Sequence, residues 1–237
     1  MHEEYIKTSD NVKIALNLYN SGQSSVIIIC PGWFMTKDSK SFSDLAESLS
    51  GWHDVVVMDF RGHGKSGGFY TFTEKEVNDL KTVVNFAKER YEKVYLMGFS
   101  LGGALVVLHG ALVGNVDKII AVSAPSDFDK IENKMWHPNA WIPTFQKFEP
   151  KRWVSVRPSP KIGKKIKPID VVDKINVPTL FIAGEKDVTV YPWHTESLYE
   201  KAICEKKYIL FEDCIHAEDI FIKEPEKFIQ ACEAWLN

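Results

Sequence analysis

One short stretch of the sequence carries residue types whose spacing could support nucleophilic chemistry. It is Gly98-Phe99-Ser100-Leu101-Gly102, a Gly-x-Ser-x-Gly pattern that follows an apolar run and opens an apolar helical segment. A serine on so tight a strand-to-helix turn tolerates no side chain two residues before or after it, which explains both glycines. The helix N-terminus behind Ser100 favours developing negative charge. The pattern predicts a nucleophile, and the alternative is a glycine-rich packing turn.

The segments around this turn alternate between short apolar runs and helical spacing. The apolar runs predict strands at 4–8, 12–19, 26–30, 55–58, 94–97, 119–122, 179–183 and 207–211. Helical spacing predicts helices at 38–49, 73–90, 101–112, 192–202 and 225–236. Short apolar runs between helices indicate a mostly parallel sheet covered on both faces, after an opening hairpin. We therefore predict an α/β fold that forms one domain over residues 1–237.

Residues 125–174 interrupt this alternation and are predicted to form a small inserted cap or lid. Within the insertion, positions 147–167 hold eight basic side chains and one acidic side chain. This excess predicts either a solvated loop or a surface that attracts an anionic substrate or an anionic lipid. Aromatic side chains there either line an acyl or aryl pocket or form the cap's own core. The candidate substrate-binding residues are Trp136, Trp141, Trp153 and, at the predicted pocket mouth, Trp193.

Composition and charge exclude several classes of protein. Hydrophobic residues make up 45% of the 237 residues, charged residues make up 26%, and the formal net charge is −3. These values are ordinary for a globular domain and give no electrostatic indication of nucleic-acid binding. The four cysteines match no zinc or redox spacing, and neither a signal peptide nor a membrane-spanning run is visible. We expect a cytoplasmic protein without metal or organic cofactor and without stable membrane insertion.

The chain resembles the α/β-hydrolase superfamily of serine esterases and lipases from about residue 12 onward. The Gly-x-Ser-x-Gly turn, a Pro31-Gly32-Trp33 turn after an early strand, and the stretch Arg61-Gly62-His63-Gly64-Lys65-Ser66 carry the resemblance. The Pro31-Gly32-Trp33 turn differs from the family, which usually has histidine where this chain has Pro31. The resemblance implies the α/β-hydrolase fold and places the stretch around His63 in a structural role.

The family's order of serine, acid and histidine implies the partners of Ser100. The base should follow the last strand, which selects His216 and leaves His194 as the runner-up. The acid should follow the preceding strand, which selects Asp187, while family members with the acid one strand earlier make Asp127 the alternative. Glu185 and Asp219 are expected to be surface carboxylates. His216 would take the proton of Ser100, and Asp187 would orient the imidazole.

The resemblance also implies the oxyanion hole and the reaction. Its two donors would be the backbone N–H groups of Trp33 and Leu101. The predicted activity is hydrolysis of carboxylic esters with small or medium acyl or aryl groups through an acyl-enzyme. The alternatives are a thioesterase, a lipase or a peptidase with the same triad, or a non-catalytic ligand-binding relative. The expected partner is a small-molecule ester, and homodimer formation is left open.

Overall fold

The computed structural model describes residues 1–131, 155–161, 163 and 165–237. Within these ranges the strands follow the predicted apolar runs, extended by one or two residues at some ends and shortened by one residue where the first two strands meet the hairpin turn. The strands are β1 (His2–Lys7), β2 (Lys13–Tyr19), β3 (Ser25–Cys30), β4 (Asp54–Met58), β5 (Lys93–Phe99), β6 (Lys118–Val122), β7 (Thr179–Gly184) and β8 (Lys206–Phe211). The helices are α1 (Lys40–Leu49), α2 (Glu76–Lys88), α3 (Leu101–Leu112), α4 (Pro192–Lys201), α5 (Glu218–Lys223) and α6 (Pro225–Leu236).

The eight strands form one sheet in the order β1-β2-β4-β3-β5-β6-β7-β8. The first hairpin joins antiparallel to β4, and every pairing from β4 to β8 is parallel. Side chains of β3 alternate between the two faces, so that Val26 and Ile28 pack in one core and Ile27 and Ile29 in the other. Because both faces are covered, the central strands are apolar throughout. The predicted α/β-hydrolase fold is confirmed.

Near the end of the chain, one helix was missed and one expectation about a carboxylate was wrong. Helix α5, which begins two residues after His216, was not predicted from the sequence. Asp219 lies on this helix and is 8% exposed, whereas a surface carboxylate was expected. Glu185, in contrast, is exposed. Helix α5 packs against α6 and α1, which explains why its first turn is buried.

The predicted insertion is described only in part. Residues 132–154, 162 and 164 lie outside the described ranges, and so do Trp136, Trp141 and Trp153. The returning segment pairs with the loop after β4, because the N–H of Tyr70 donates to the Arg157 carbonyl at 2.8 Å and the N–H of Arg157 donates to the Gly62 carbonyl at 2.7 Å. None of the helices in the described ranges has the length and apolar character needed to cross a bilayer.

A buried ion pair ties the loop after β4 to helix α2. The guanidinium of Arg61 donates to the carboxylate of Asp79 at 2.7 and 2.9 Å and also contacts Asp10 at 2.8 Å. Arg61 is 2% exposed and Asp79 is fully buried. Such a pair is costly to break because the remaining charge stays buried without its partner.

We expect Asp79→Ala to lower the free energy of unfolding by about 3 kcal/mol, because it leaves the guanidinium of Arg61 buried with less compensation. Chemical denaturation followed by circular dichroism measures this difference. Asp44→Ala removes the exposed ion pair with Lys40 on α1 and is the matched control, for which little change is expected. Equal effects of the two substitutions would contradict the importance assigned to the buried pair.

Candidate active site

The turn that presents Ser100 depends on close backbone contacts. Ser100 lies between the end of β5 and the start of α3 with φ of 53°, in the left-handed region that non-glycine residues rarely occupy. A Cβ atom on Gly98 would lie 2.2 Å from the Gly102 carbonyl oxygen, and one on Gly102 would lie 2.0 Å from that of Cys30. Neither position therefore has room for a side chain, which is the reason that the sequence pattern predicts for the two glycines.

A continuous chain of hydrogen bonds joins the three residues proposed as the triad. His216 Nε2 lies 2.8 Å from Ser100 Oγ, and His216 Nδ1 lies 2.6 Å from Asp187 Oδ2. The carboxylate of Asp187 is buried, whereas Ser100 and His216 are partly exposed. This geometry allows a proton to pass from the serine to the imidazole while the buried carboxylate fixes the orientation of the ring.

Backbone groups hold the carboxylate of Asp187 in place. Its Oδ1 atom accepts the N–H groups of Thr189 and Val190, both at 2.9 Å, which leaves Oδ2 for His216. The end of β7 also lies close to the loop that carries His216, since a Cβ atom on Gly184 would lie 2.1 Å from the Ile215 carbonyl oxygen. The two loops are thus held together independently of the bond between Asp187 and His216.

The two predicted oxyanion donors flank the serine. Leu101 follows Ser100 at the start of α3, and Trp33 follows Gly32, whose Cβ position would lie 3.1 Å from Ser100 Cβ. Within the described residues, neither the N–H of Trp33 nor that of Leu101 donates to an acceptor of the protein. Two such N–H groups beside a nucleophile suit the negative charge of a tetrahedral intermediate.

The runner-up residues lie elsewhere. His194 is buried in α4, where its Nδ1 lies 2.8 Å from Ser126 Oγ. Asp127 lies 3.0 Å from the ammonium of Lys167. His63 packs its ring against Tyr70, at 4.7 Å between centroids, and burial lowers the pKa of its imidazole to about 4.

Some residues at the site were missed from the sequence. The side chains of Trp33, Phe34, Tyr70 and Phe72 form one aromatic cluster beside the candidate oxyanion loop, and we call it the aromatic wall. The available signal was the aromatic run Phe69-Tyr70-Thr71-Phe72, which begins shortly after the stretch that resembles the family. Trp193 stacks on His194 at 3.8 Å, and its predicted contact with substrate stays a prediction.

The described residues contain no group of three histidine, cysteine, aspartate or glutamate side chains that could hold a metal ion.

A family model of hydrolases, described as serine aminopeptidase S33, matches residues 22–172. Among curated proteins, the uncharacterized protein YqkD of Bacillus subtilis is 30% identical over 202 residues, which are 81% of this chain and 65% of that protein. The α/β hydrolase domain-containing protein WAV2 of Arabidopsis thaliana is 26% identical over 63% of this chain and 48% of its own length. The chain thus spans less than two thirds of these relatives.

Solved structures show the same fold at low identity. The esterase Pf2001 of Pyrococcus furiosus superposes with a TM-score of 0.80 at 23% identity, covering 99% of this chain and 91% of that one. The esterase RhEst1 of Rhodococcus superposes with a TM-score of 0.81 at 16% identity, covering 99% and 98% of the two chains. At these identities the likeness establishes the fold alone.

We expect Gly102→Ala to destabilise the protein by about 1–3 kcal/mol, because the added methyl group must displace the backbone of β3. Thermal unfolding of the purified variant measures the change. Gly51→Ala is the matched control, since a Cβ atom there meets no atom within 4 Å. A Gly102→Ala variant as stable as this control would show that the close approach is not required.

Proposed function

We propose that this chain, which belongs to the serine aminopeptidase S33 family of α/β hydrolases, is a serine hydrolase that acts on carboxylic esters of small or medium acyl or aryl groups. The observation that carries the proposal is the hydrogen-bonded chain from Ser100 through His216 to Asp187. The N–H groups of Trp33 and Leu101, which have no acceptor among the residues that the structure describes, support it. Two structural neighbours named as esterases, in Pyrococcus furiosus and Rhodococcus, agree with it.

In the proposed mechanism, Ser100 Oγ attacks the ester carbonyl while its proton passes to His216 Nε2. Asp187 stabilises the imidazolium, and the N–H groups of Trp33 and Leu101 bind the oxyanion. The tetrahedral intermediate collapses, and His216 protonates the departing alcohol. Water then attacks the acyl-enzyme and gives a proton to His216. The second tetrahedral intermediate collapses, His216 returns the proton to Ser100 Oγ, and the acid is released.

The family description favours a second candidate activity, the cleavage of amide bonds at the amino terminus of a peptide. The same triad serves both reactions, because both pass through a tetrahedral oxyanion. Alanine p-nitroanilide and the p-nitrophenyl ester of acetylalanine separate the two. A higher kcat/KM for the anilide would favour the aminopeptidase. Thioesterase and lipase activities, and ligand binding without catalysis, are further alternatives.

We expect a fluorophosphonate probe to label the wild type and not Ser100→Ala, because only an activated serine reacts with such a probe. Hydrolysis of short-chain and long-chain p-nitrophenyl esters should be lost in the same variant, and the profile of the wild type would give the size of the acyl pocket. Ser48→Ala, which changes an exposed hydroxyl on α1, is the control and should label normally. A wild type that neither labels nor turns over any ester would exclude the esterase and favour a binding protein.

We expect Asp187→Asn to lower kcat by about 10⁴-fold with normal folding, since an amide cannot hold the imidazole in the required tautomer. Asp127→Asn, the matched change at the alternative acid, should leave kcat close to the wild-type value. Steady-state hydrolysis of p-nitrophenyl butyrate measures both variants. The reverse ranking would assign the acid to Asp127.

A further inference from the structure

In the aromatic wall, rings of the candidate oxyanion loop pack against rings of the loop after β4. The ring of Trp33 stacks on Phe34 at 4.4 Å and meets Phe72 at 4.9 Å, and Tyr70 lies 4.9 Å from Phe72. A substrate bound with its carbonyl at the N–H of Trp33 would therefore have this wall beside it. The wall is a candidate for the surface that selects the substrate.

One ammonium group lies over the far end of the wall. Lys165 Nζ is 4.3 Å from the ring centroid of Phe72 and 5.9 Å from that of Phe128. The side chain is partly buried, and among the described residues it forms no ion pair. The carboxylate of Asp129 acts on the Lys165 ammonium electrostatically, but it forms an ion pair with Lys167 at 2.8 Å.

Ring faces attract an ammonium group but do not replace the hydrogen-bond acceptors that its N–H groups need. A cation over two aromatic rings gains electrostatic energy, yet its three N–H donors still need acceptors. Burial lowers the pKa of the Lys165 ammonium, whereas a bound carboxylate would have the opposite effect. Within the described part of the chain, this cation therefore has no acceptor of opposite charge in contact with it.

Further buried donors accompany this cation. The indole N–H of Trp33 and the hydroxyl groups of Tyr70 and Thr73 are buried and, within the described part of the chain, have no hydrogen-bond partner. Tyr70 is 1% exposed and Thr73 is 3% exposed. Unsatisfied buried polar groups are costly and call for a specific explanation. All three groups can donate a hydrogen bond, and the two hydroxyl groups can also accept one.

The backbone also holds these side chains in an uncommon conformation. Phe34, Phe72 and Thr73 have φ of 62°, 56° and 78°, in the left-handed region. This conformation is unfavourable for residues other than glycine and persists where the surrounding structure imposes it, often at ligand sites. The strain fixes the positions of the rings and is consistent with a prepared binding surface.

We propose that Lys165 and the aromatic wall bind an anionic group of the substrate, so that the preferred esters carry a carboxylate at a distance from the scissile bond. This inference rests on the proposed function and adds the substrate class. Lys165 supplies the opposite charge, and the partly exposed rings of Trp33, Phe34 and Phe72 contact the intervening apolar chain.

The test compares esters that differ by a single charge. On the acyl side the pair is mono-p-nitrophenyl adipate and p-nitrophenyl hexanoate, and on the leaving-group side it is 3-carboxyphenyl hexanoate and phenyl hexanoate. We expect Lys165→Met to lower the ratio of kcat/KM for the anionic over the neutral ester by about tenfold in one of the pairs, mainly through KM. Lys165→Arg keeps the charge and should keep most of the preference.

Lys161→Met is the matched control, because it removes an exposed lysine from the same segment. A loss of preference as large in Lys161→Met as in Lys165→Met would show general attraction by a basic surface and would overturn the proposal. Ratios that do not depend on Lys165 in either pair would overturn it as well.

Binding without turnover separates this inference from the proposed function. Calorimetric titrations of mono-p-nitrophenyl adipate and of 3-carboxyphenyl hexanoate into Ser100→Ala, with and without Lys165→Met, measure both affinities directly. Weaker binding in the double variant supports the anion site even if the wild type hydrolyses none of the esters, a result that would overturn only the proposed function. Equal affinities, with ester hydrolysis intact, would overturn only the anion site.

Discussion

The contact between the first turn of α3 and the end of β3 is the constraint on which the rest of the site depends. Because Gly102 has no side chain, the Cys30 carbonyl oxygen can lie where its Cβ atom would be. The loop that follows Cys30 is thereby brought beside Ser100, and with it the N–H of Trp33. A larger residue at 102 would separate the nucleophile from this donor even if the hydrogen bonds to His216 survived.

Buried polar groups fix the other end of the same loop. The carboxylate of Asp59 accepts the N–H groups of Lys37 at 2.7 Å and Lys65 at 2.9 Å, which joins the loops after β3 and β4. The Lys37 ammonium is fully buried and donates to Glu3 at 2.6 Å and Asn17 at 2.9 Å. Burial raises the pKa of Asp59 to about 6, so the carboxylate is ionised above that pH. The candidate oxyanion loop is thus held by a close contact at one end and by a network of charges at the other.

The sequence predicted the strands, most of the helices and the three residues that the structure brings together, because apolar periodicity and the serine turn are local signals. Helix α2 was predicted from residue 73, but Phe72 and Thr73 have left-handed φ, and the helix begins at Glu76. Helix α5 is too short to show periodicity, and the residue before Pro225 disfavours a helical conformation. The burial of Lys37 and the position of Lys165 over Phe72 depend on segments far apart in sequence, and no local pattern indicates such contacts.

The candidate triad and the aromatic wall are held by different interactions. Asp187 and His216 are fixed by loops after β7 and β8, through backbone N–H groups and the close approach at Gly184. Tyr70, in contrast, exchanges backbone hydrogen bonds with the returning insertion, at Arg157 and Ser159. Substitutions in the insertion can therefore move the aromatic wall while the hydrogen bonds of Ser100 stay intact. Under the proposed function, this separation would let one arrangement of Ser100, His216 and Asp187 serve different substrates as the insertion varies, because the hydrogen bonds that orient Ser100 do not involve the rings of the aromatic wall.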